Sequence, residues 1–155
     1  MKQLMISTVL TVMCLLGIVT NANAQAGSYN GTLSNVTMNG KLYDNVTGQD
    51  FELTSLGNNL YRLTGEVGPI GKMPGTIYVD VNIAINNGVI TSSTPINGVA
   101  GYLAFTIGGS INIKLSSLTG TLVNNNLHFV LNTYAGWQSL PIFPASVTFD
   151  GTLQP

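Results

Sequence analysis

The chain has 155 residues, 45% of them hydrophobic and only 7% charged, with a formal net charge of −1. Soluble domains usually carry about 25% charged residues, so the polar surface here must be built from Asn, Thr, Ser and Gly. The apolar content excludes intrinsic disorder, and the absence of a basic excess argues against nucleic acid or an anionic membrane surface as a partner.

Lys2 opens a short positive region, and Leu4 to Thr20 is an almost unbroken apolar run. Ala22-Asn23-Ala24 then offers the small-x-small pattern at which signal peptidase cuts. Residues 1–24 therefore read as a secretory signal, leaving Gln25 first. The run is somewhat short of the ~20 residues a spanning helix needs. Cys14 lies inside that run, followed by Leu15 and Leu16, so it does not match a lipidation site. Cleavage leaves 131 residues, enough for one domain over 25–155, with no cysteine and a net charge near −2. The mature chain is expected in the periplasm, at the cell surface or outside the cell, with no membrane span. Its oligomeric state is left open.

Tyr29 to Met38 is the first expected strand. Tyr29 and Leu33 share one face, while Val36 and Met38 have the other parity, so a bulge is expected near Ser34-Asn35. Asn39-Gly40 is a hairpin signal. Lys41 to Val46 reads as the returning strand, Thr47-Gly48-Gln49 as a turn, and Phe51 and Leu53 as the core face of the next strand. After Gly57-Asn58-Asn59, Leu60 to Val67 directs Tyr61, Leu63 and Val67 inward. Two prolines and three glycines between Gly68 and Gly75 forbid a regular element there.

Thr76 to Asn86 is the strongest element. Ile77, Val79, Val81, Ile83 and Ile85 alternate with Tyr78, Asp80, Asn82, Ala84 and Asn86. This is the period-two pattern of a half-buried strand, with β-branched residues at every apolar position. Asn87-Gly88 turns the chain into a weak strand, Val89 to Thr94, and Pro95 to Gly98 is a loop. Leu103, Phe105 and Ile107 are expected on one face. Gly108-Gly109 follows as a bend or hairpin turn, and Ile111, Ile113 and Leu115 alternate beyond it. Leu118 to Val123 and Leu127 to Tyr134 flank an Asn124-Asn125-Asn126 hairpin. Ala135 to Pro144 reads as an apolar loop, and Ala145, Val147, Phe149 and Leu153 alternate in the last strand.

A short pattern recurs at the two ends. Tyr29-Asn30-Gly31-Thr32-Leu33 matches Phe149-Asp150-Gly151-Thr152-Leu153 in residue type, and Leu118-Thr119-Gly120-Thr121-Leu122 is a looser copy. Glycine inside a strand marks a bend or a close backbone approach. Matching sites in the first and last strands would let them pair. The expected fold is all-β: a single antiparallel β-barrel of about eight to ten strands with the first and last strands adjacent.

The opening Tyr29 to Leu33, the Met73-Pro74-Gly75-Thr76-Ile77-Tyr78-Val79 stretch and the closing Ala145-Ser146-Val147-Thr148-Phe149 resemble the calycin-like β-barrel family of small secreted proteins, best represented in Bacteroidota. The resemblance covers roughly Ser28 to Leu153. It implies a lipocalin-like antiparallel barrel and brings no established activity or functional residue. The Gly-x-Trp of true lipocalins near the first strand is missing; the one Trp, Trp137, lies near the end.

The inventory for chemistry is thin. His128 is the sole histidine, on a strand and facing away from Leu127 and Phe129, and there is no Gly-x-Ser-x-Gly elbow. One His and no mature Cys are too few for zinc. Asp44, Asp50 and Glu52 lack the spacing of a calcium loop. Gly68-Pro69-Ile70-Gly71-Lys72 is not a phosphate loop. No catalytic residue, metal or cofactor is assigned, and an enzyme is not expected. Barrels of about eight strands can enclose one small ligand, so the expected function is non-enzymatic binding of a small apolar ligand or a partner. The alternative is a structural or surface-interaction module with a filled core. The candidate ligand-binding residues are Trp137 and Phe143 at an entrance in the 135–144 loop, with Tyr102 or Phe105 deeper.

Overall fold

The computed structural model describes residues 24–155; the expected signal segment, including Cys14, lies outside them apart from Ala24. The described residues form ten strands and no helix. These are β1 (Gly27–Met38), β2 (Lys41–Leu42), β3 (Val46–Gly57), β4 (Leu60–Val67) and β5 (Gly75–Asn86). They continue with β6 (Val89–Pro95), β7 (Gly101–Phe105), β8 (Ser110–Val123), β9 (Asn126–Trp137) and β10 (Leu140–Leu153). All neighbours are antiparallel. The ladder runs β10-β9-β8-β6-β5-β4-β3-β1, and β10 returns to pair β1. β6 and β7 share one position in this ring, on successive halves of β5. The result is a closed, barrel-like ring of eight positions, with β2 attached at the end of β1.

Turn chemistry explains much of the asparagine content. Asn39-Gly40, Asn58-Asn59, Asn87-Gly88, Asn97-Gly98 and Asn124-Asn125 all have positive φ at both residues. That is the type I′ conformation, whose twist matches that of the flanking strands. β5 is buried as its alternation requires: Ile77, Val79, Val81, Ile83 and Ile85 face inward and are at most 4% exposed.

The terminal repeats pair with each other. Tyr29 lies opposite Leu153, Gly31 opposite Gly151 and Leu33 opposite Phe149. The ring closes where the two Gly-Thr-Leu motifs meet head to tail. Inside it, Phe51, Phe129 and Phe149 pack with centroids 4.8–5.2 Å apart, and none is more than 1% exposed. Glycines make room for them. A Cβ on Gly65 would lie 2.4 Å from the Phe51 ring, one on Gly151 2.3 Å from the Phe149 ring, and one on Gly120 2.7 Å from the Phe129 Cα. Burying each phenyl contributes roughly 1.5–3 kcal/mol.

At one end of the ring the Tyr61 hydroxyl donates to the Ala24 carbonyl at 2.9 Å, and the Tyr29 hydroxyl to that of Gln25 at 2.6 Å. The segment at the expected cleavage point is thus tied to the ring.

Four local expectations need correction. Ala135–Pro144 is not a loop: β9 runs to Trp137, β10 starts at Leu140, and Gly136 pairs with Pro141. Apolar content hid the alternation, because both faces of this hairpin carry large side chains. Thr47-Gly48-Gln49 is a bulge within β3, with Gly48 at φ 70°, since the register against β1 shifts there. Beyond Leu42 the chain up to Asn45 is irregular and is not part of a returning strand. Ile107 does not share the inward face of Leu103; it sits in the β7–β8 turn and is 98% exposed. The expected bulge near Ser34-Asn35 is present: the β1–β10 register shifts between Ser34 and Thr37, with Asn35 at φ 49°.

Candidate functional site

The interior offers little space. A void of about 10 Å³ lies beside Thr133, Leu131 and Val147, about the size of one water. The larger concavity is an open trough of about 620 Å³ on the outer wall, which reaches the buried Thr133 and Ala145 and shares them and Ser146 with this void.

Its floor is one cross-strand row. Thr37 of β1 lies opposite Ser146 of β10, Ser146 opposite Asn132 of β9, and Asn132 opposite Ser117 of β8. Inward neighbours Val36, Val147, Leu131 and Leu118 are buried, so period-two alternation sends these four side chains outward. Asn132 Nδ2 donates to Ser117 Oγ at 2.9 Å, fixing both groups.

Three bulges adjoin this row. Register shifts fall between Ser34 and Thr37 in β1, between Leu115 and Ser117 in β8, and between Ile142 and Ala145 in β10. A bulge bends its strand and raises the local twist. Aligned in neighbouring strands, three of them crease the wall into a trough. Ser116 and Leu115 form one bank; Gln138, Pro141 and Pro144, at the base and tip of the β9–β10 hairpin, form the other. Tyr134 stands beside the floor and also lines the trough. No charged residue lines it.

The sequence-predicted residues fall in three places. Trp137 is 70% exposed at the hairpin tip, next to the trough residue Gln138, with Leu140 and Ile142 also exposed. Phe143, in the β10 bulge with φ 49°, is half-buried and packs edge-on against Phe105 at 5.4 Å. This pair joins β10 to β7 at one end of the ring. Tyr102 is apart from both, on the outer face, stacked on Tyr78 at 4.6 Å. Of the four, only Phe105 and Phe143 touch. The trough residues were missed because Thr37, Ser117, Asn132 and Ser146 look like ordinary strand exterior; only the shifts of parity at Ser34-Asn35 and between Leu115 and Leu118 mark the place.

His128 Nδ1 lies 2.6 Å from Asp150 Oδ1 on the outer face, and Thr121 stands across from His128 in the ladder. The line hydroxyl–imidazole–carboxylate has the order of a nucleophilic triad. Both side chains of the pair are exposed, however, and none of the three lines the trough or the interior void. An activated nucleophile needs its base within hydrogen-bond reach, and the bond found here is the one joining β9 to β10. Arg62 and Asp80 form a second exposed pair, bidentate at 2.7 and 2.6 Å. Hydrogen bonding to Asp80 raises the Arg62 pKa further. No group of three or more His, Cys, Asp or Glu suited to a metal occurs among the described residues.

No family model, curated protein or solved structure matches the chain.

Proposed function

We propose that the chain is an exported, non-enzymatic barrel of the calycin-like type that binds at its outer wall, in the trough between the β8 bulge and the β9–β10 hairpin. The filled interior carries this reading. Three packed phenylalanines occupy the place where an enclosed ligand would sit, beside a void of about 10 Å³. The trough, at about 620 Å³, is within the usual range of small-molecule sites, roughly 300–1,000 Å³. The closed ring, with first strand paired to last, supports the barrel-like part of this reading. Residues 1–24 supply the export signal, and the product acts in the periplasm, at the cell surface or outside.

Native mass spectrometry of protein exported by its own host tests both parts. The expected mass is that of Gln25 to Pro155 with no bound apolar molecule, and added lauric acid should show no saturable site. A stoichiometric apolar ligand released only on unfolding would refute outer-wall binding and restore the enclosed site.

A second reading, contact with a partner protein through the hairpin, is favoured by the exposed Trp137, Leu140 and Ile142. Exposed apolar clusters commonly mark interaction sites. Cross-linking from position 137 in the native host separates the two: a discrete protein adduct supports the partner, and its absence supports the trough alone.

A further inference from the structure

We propose that the outer trough is a binding site for a neutral saccharide, a ligand class that rests on the outer-wall reading above. The lining is uncharged but dense in hydrogen-bonding groups. Thr37, Ser117, Asn132 and Ser146 form the floor, and Ser116 and Gln138 the banks. An amide has two donors and an acceptor oxygen, and a hydroxyl both donates and accepts. Such a set matches the mixed donor and acceptor pattern of sugar hydroxyls.

The alternatives fit less well. A lipid chain would take these hydroxyls and amides out of water and leave them unpaired, which is unfavourable. An anionic ligand would find no cation on the lining. Lys114 lies across from Tyr134 on the neighbouring rung, and Lys41 follows Gly40, but neither lines the trough. Sugar rings also present apolar C–H faces, and the trough offers surfaces for them in Tyr134, Pro141 and Pro144. The floor is pre-organised: its four residues project from paired strands, and Asn132 is already held by Ser117 at 2.9 Å. Sites on regular strands lose little freedom when they bind. At about 620 Å³ the trough has room for more than a single sugar ring.

The test is titration calorimetry of the mature protein with cellotriose, maltotriose, xylotriose and chitotriose. Trigalacturonate serves as the anionic control and lauric acid as the apolar one. At least one neutral trisaccharide should bind, and Asn132→Ala and Gln138→Ala should each weaken it about tenfold. Gln138 is exposed on the hairpin, so its variant keeps the fold even if Asn132→Ala does not; melting curves verify this. Neutral binding unchanged in both folded variants would overturn the assignment to the trough. Binding of trigalacturonate alone, or of no saccharide, would overturn the ligand class and leave outer-wall binding standing. Saturable binding of lauric acid alone would overturn both.

Discussion

Closure of the ring through β1 and β10 depends on Gly31, and Gly31→Ala tests it. The φ of Gly31 is not in the left-handed region, so the substitution carries no backbone strain of its own. The cost is steric. A Cβ there would sit 2.1 Å from the Asp150 carbonyl oxygen, 2.4 Å from the Gly151 Cα and 2.7 Å from the Asp150 carbonyl carbon. An ordinary C···O approach is about 3.3 Å. The shortfall exceeds ~1 Å against backbone atoms, which cannot rotate away as a side chain could. β1 and β10 must separate locally, losing a ladder bond worth about 1 kcal/mol net. Overpacking adds a further 1–3 kcal/mol, roughly. We expect a loss of about 3 kcal/mol by urea denaturation, and a melting temperature about 10 °C lower for a domain of this size. Ser28→Ala, on the same strand but exposed, should stay within about 0.5 kcal/mol of wild type. If Gly31→Ala is as stable as Ser28→Ala, the two strands are not closely apposed and the ring is not closed there.

The remaining expectations concern β5, the hairpin and the buried phenol. Val81 is fully buried, so Val81→Ala should cost about 2 kcal/mol, whereas Asn82→Asp on the outer face should be nearly neutral. Denaturation showing the reverse order would mean that the faces of β5 are exchanged. Trp137→Ala should change stability by less than about 0.5 kcal/mol, and Trp137 should emit as a solvated indole. A blue emission with a large stability loss would place it inside as a plug. Burial, and then Tyr61 beside it, raise the Tyr29 phenol above its ordinary value near 10. The unfolded chain therefore ionises first, and stability present below about pH 10 is lost as pH rises toward the folded-state value. Tyr29→Phe should flatten that alkaline loss; parallel profiles for the two proteins would contradict the buried phenol.

What was legible in the sequence follows the physics of alternation. β5 and β4 keep strict parity, so their inward residues could be named from the pattern alone. The pairing of first and last strands was readable because Gly31 and Gly151 sit in the same five-residue motif and meet in register. The β9–β10 hairpin was not readable. Trp137, Leu140 and Ile142 are exposed, and Pro141 and Pro144 resemble breakers, although both fit a strand whose outer edge or bulge needs no donor there. The expectation paired Phe143 with Trp137 and set Phe105 deeper, whereas the contact formed is Phe143 against Phe105; Tyr102, one residue out of phase with Leu103, points to the opposite face and joins Tyr78.

The same irregularities that obscured the pattern build the candidate site. A strand in perfect alternation gives a smooth wall, whose outer face is uniformly convex and offers a ligand contact on one side only. A bulge inserts an extra residue and bends the strand. In β1 that residue brings Val36 and Met38 back inward after Leu33; in β8 it does the same for Leu118 after Leu115. In β10 it turns Phe143 toward Phe105 while Pro144 stays on the trough bank. Each bulge therefore keeps the core filled on its inner side while creasing the wall on its outer side. On the outer-wall reading the interior of the ring need not be hollow, because the concavity lies on the exterior. Removing one residue from the β8 bulge, by deleting Ser116, separates these two effects. Deletion would leave Leu118, Gly120 and Leu122 in strict alternation with Ile113 and their pairing with β9 intact, so the inward face is kept while the crease is removed. A folded deletion variant with unchanged binding of the trough ligand would show that the crease is incidental. A folded variant that has lost binding would tie recognition to the bulge itself.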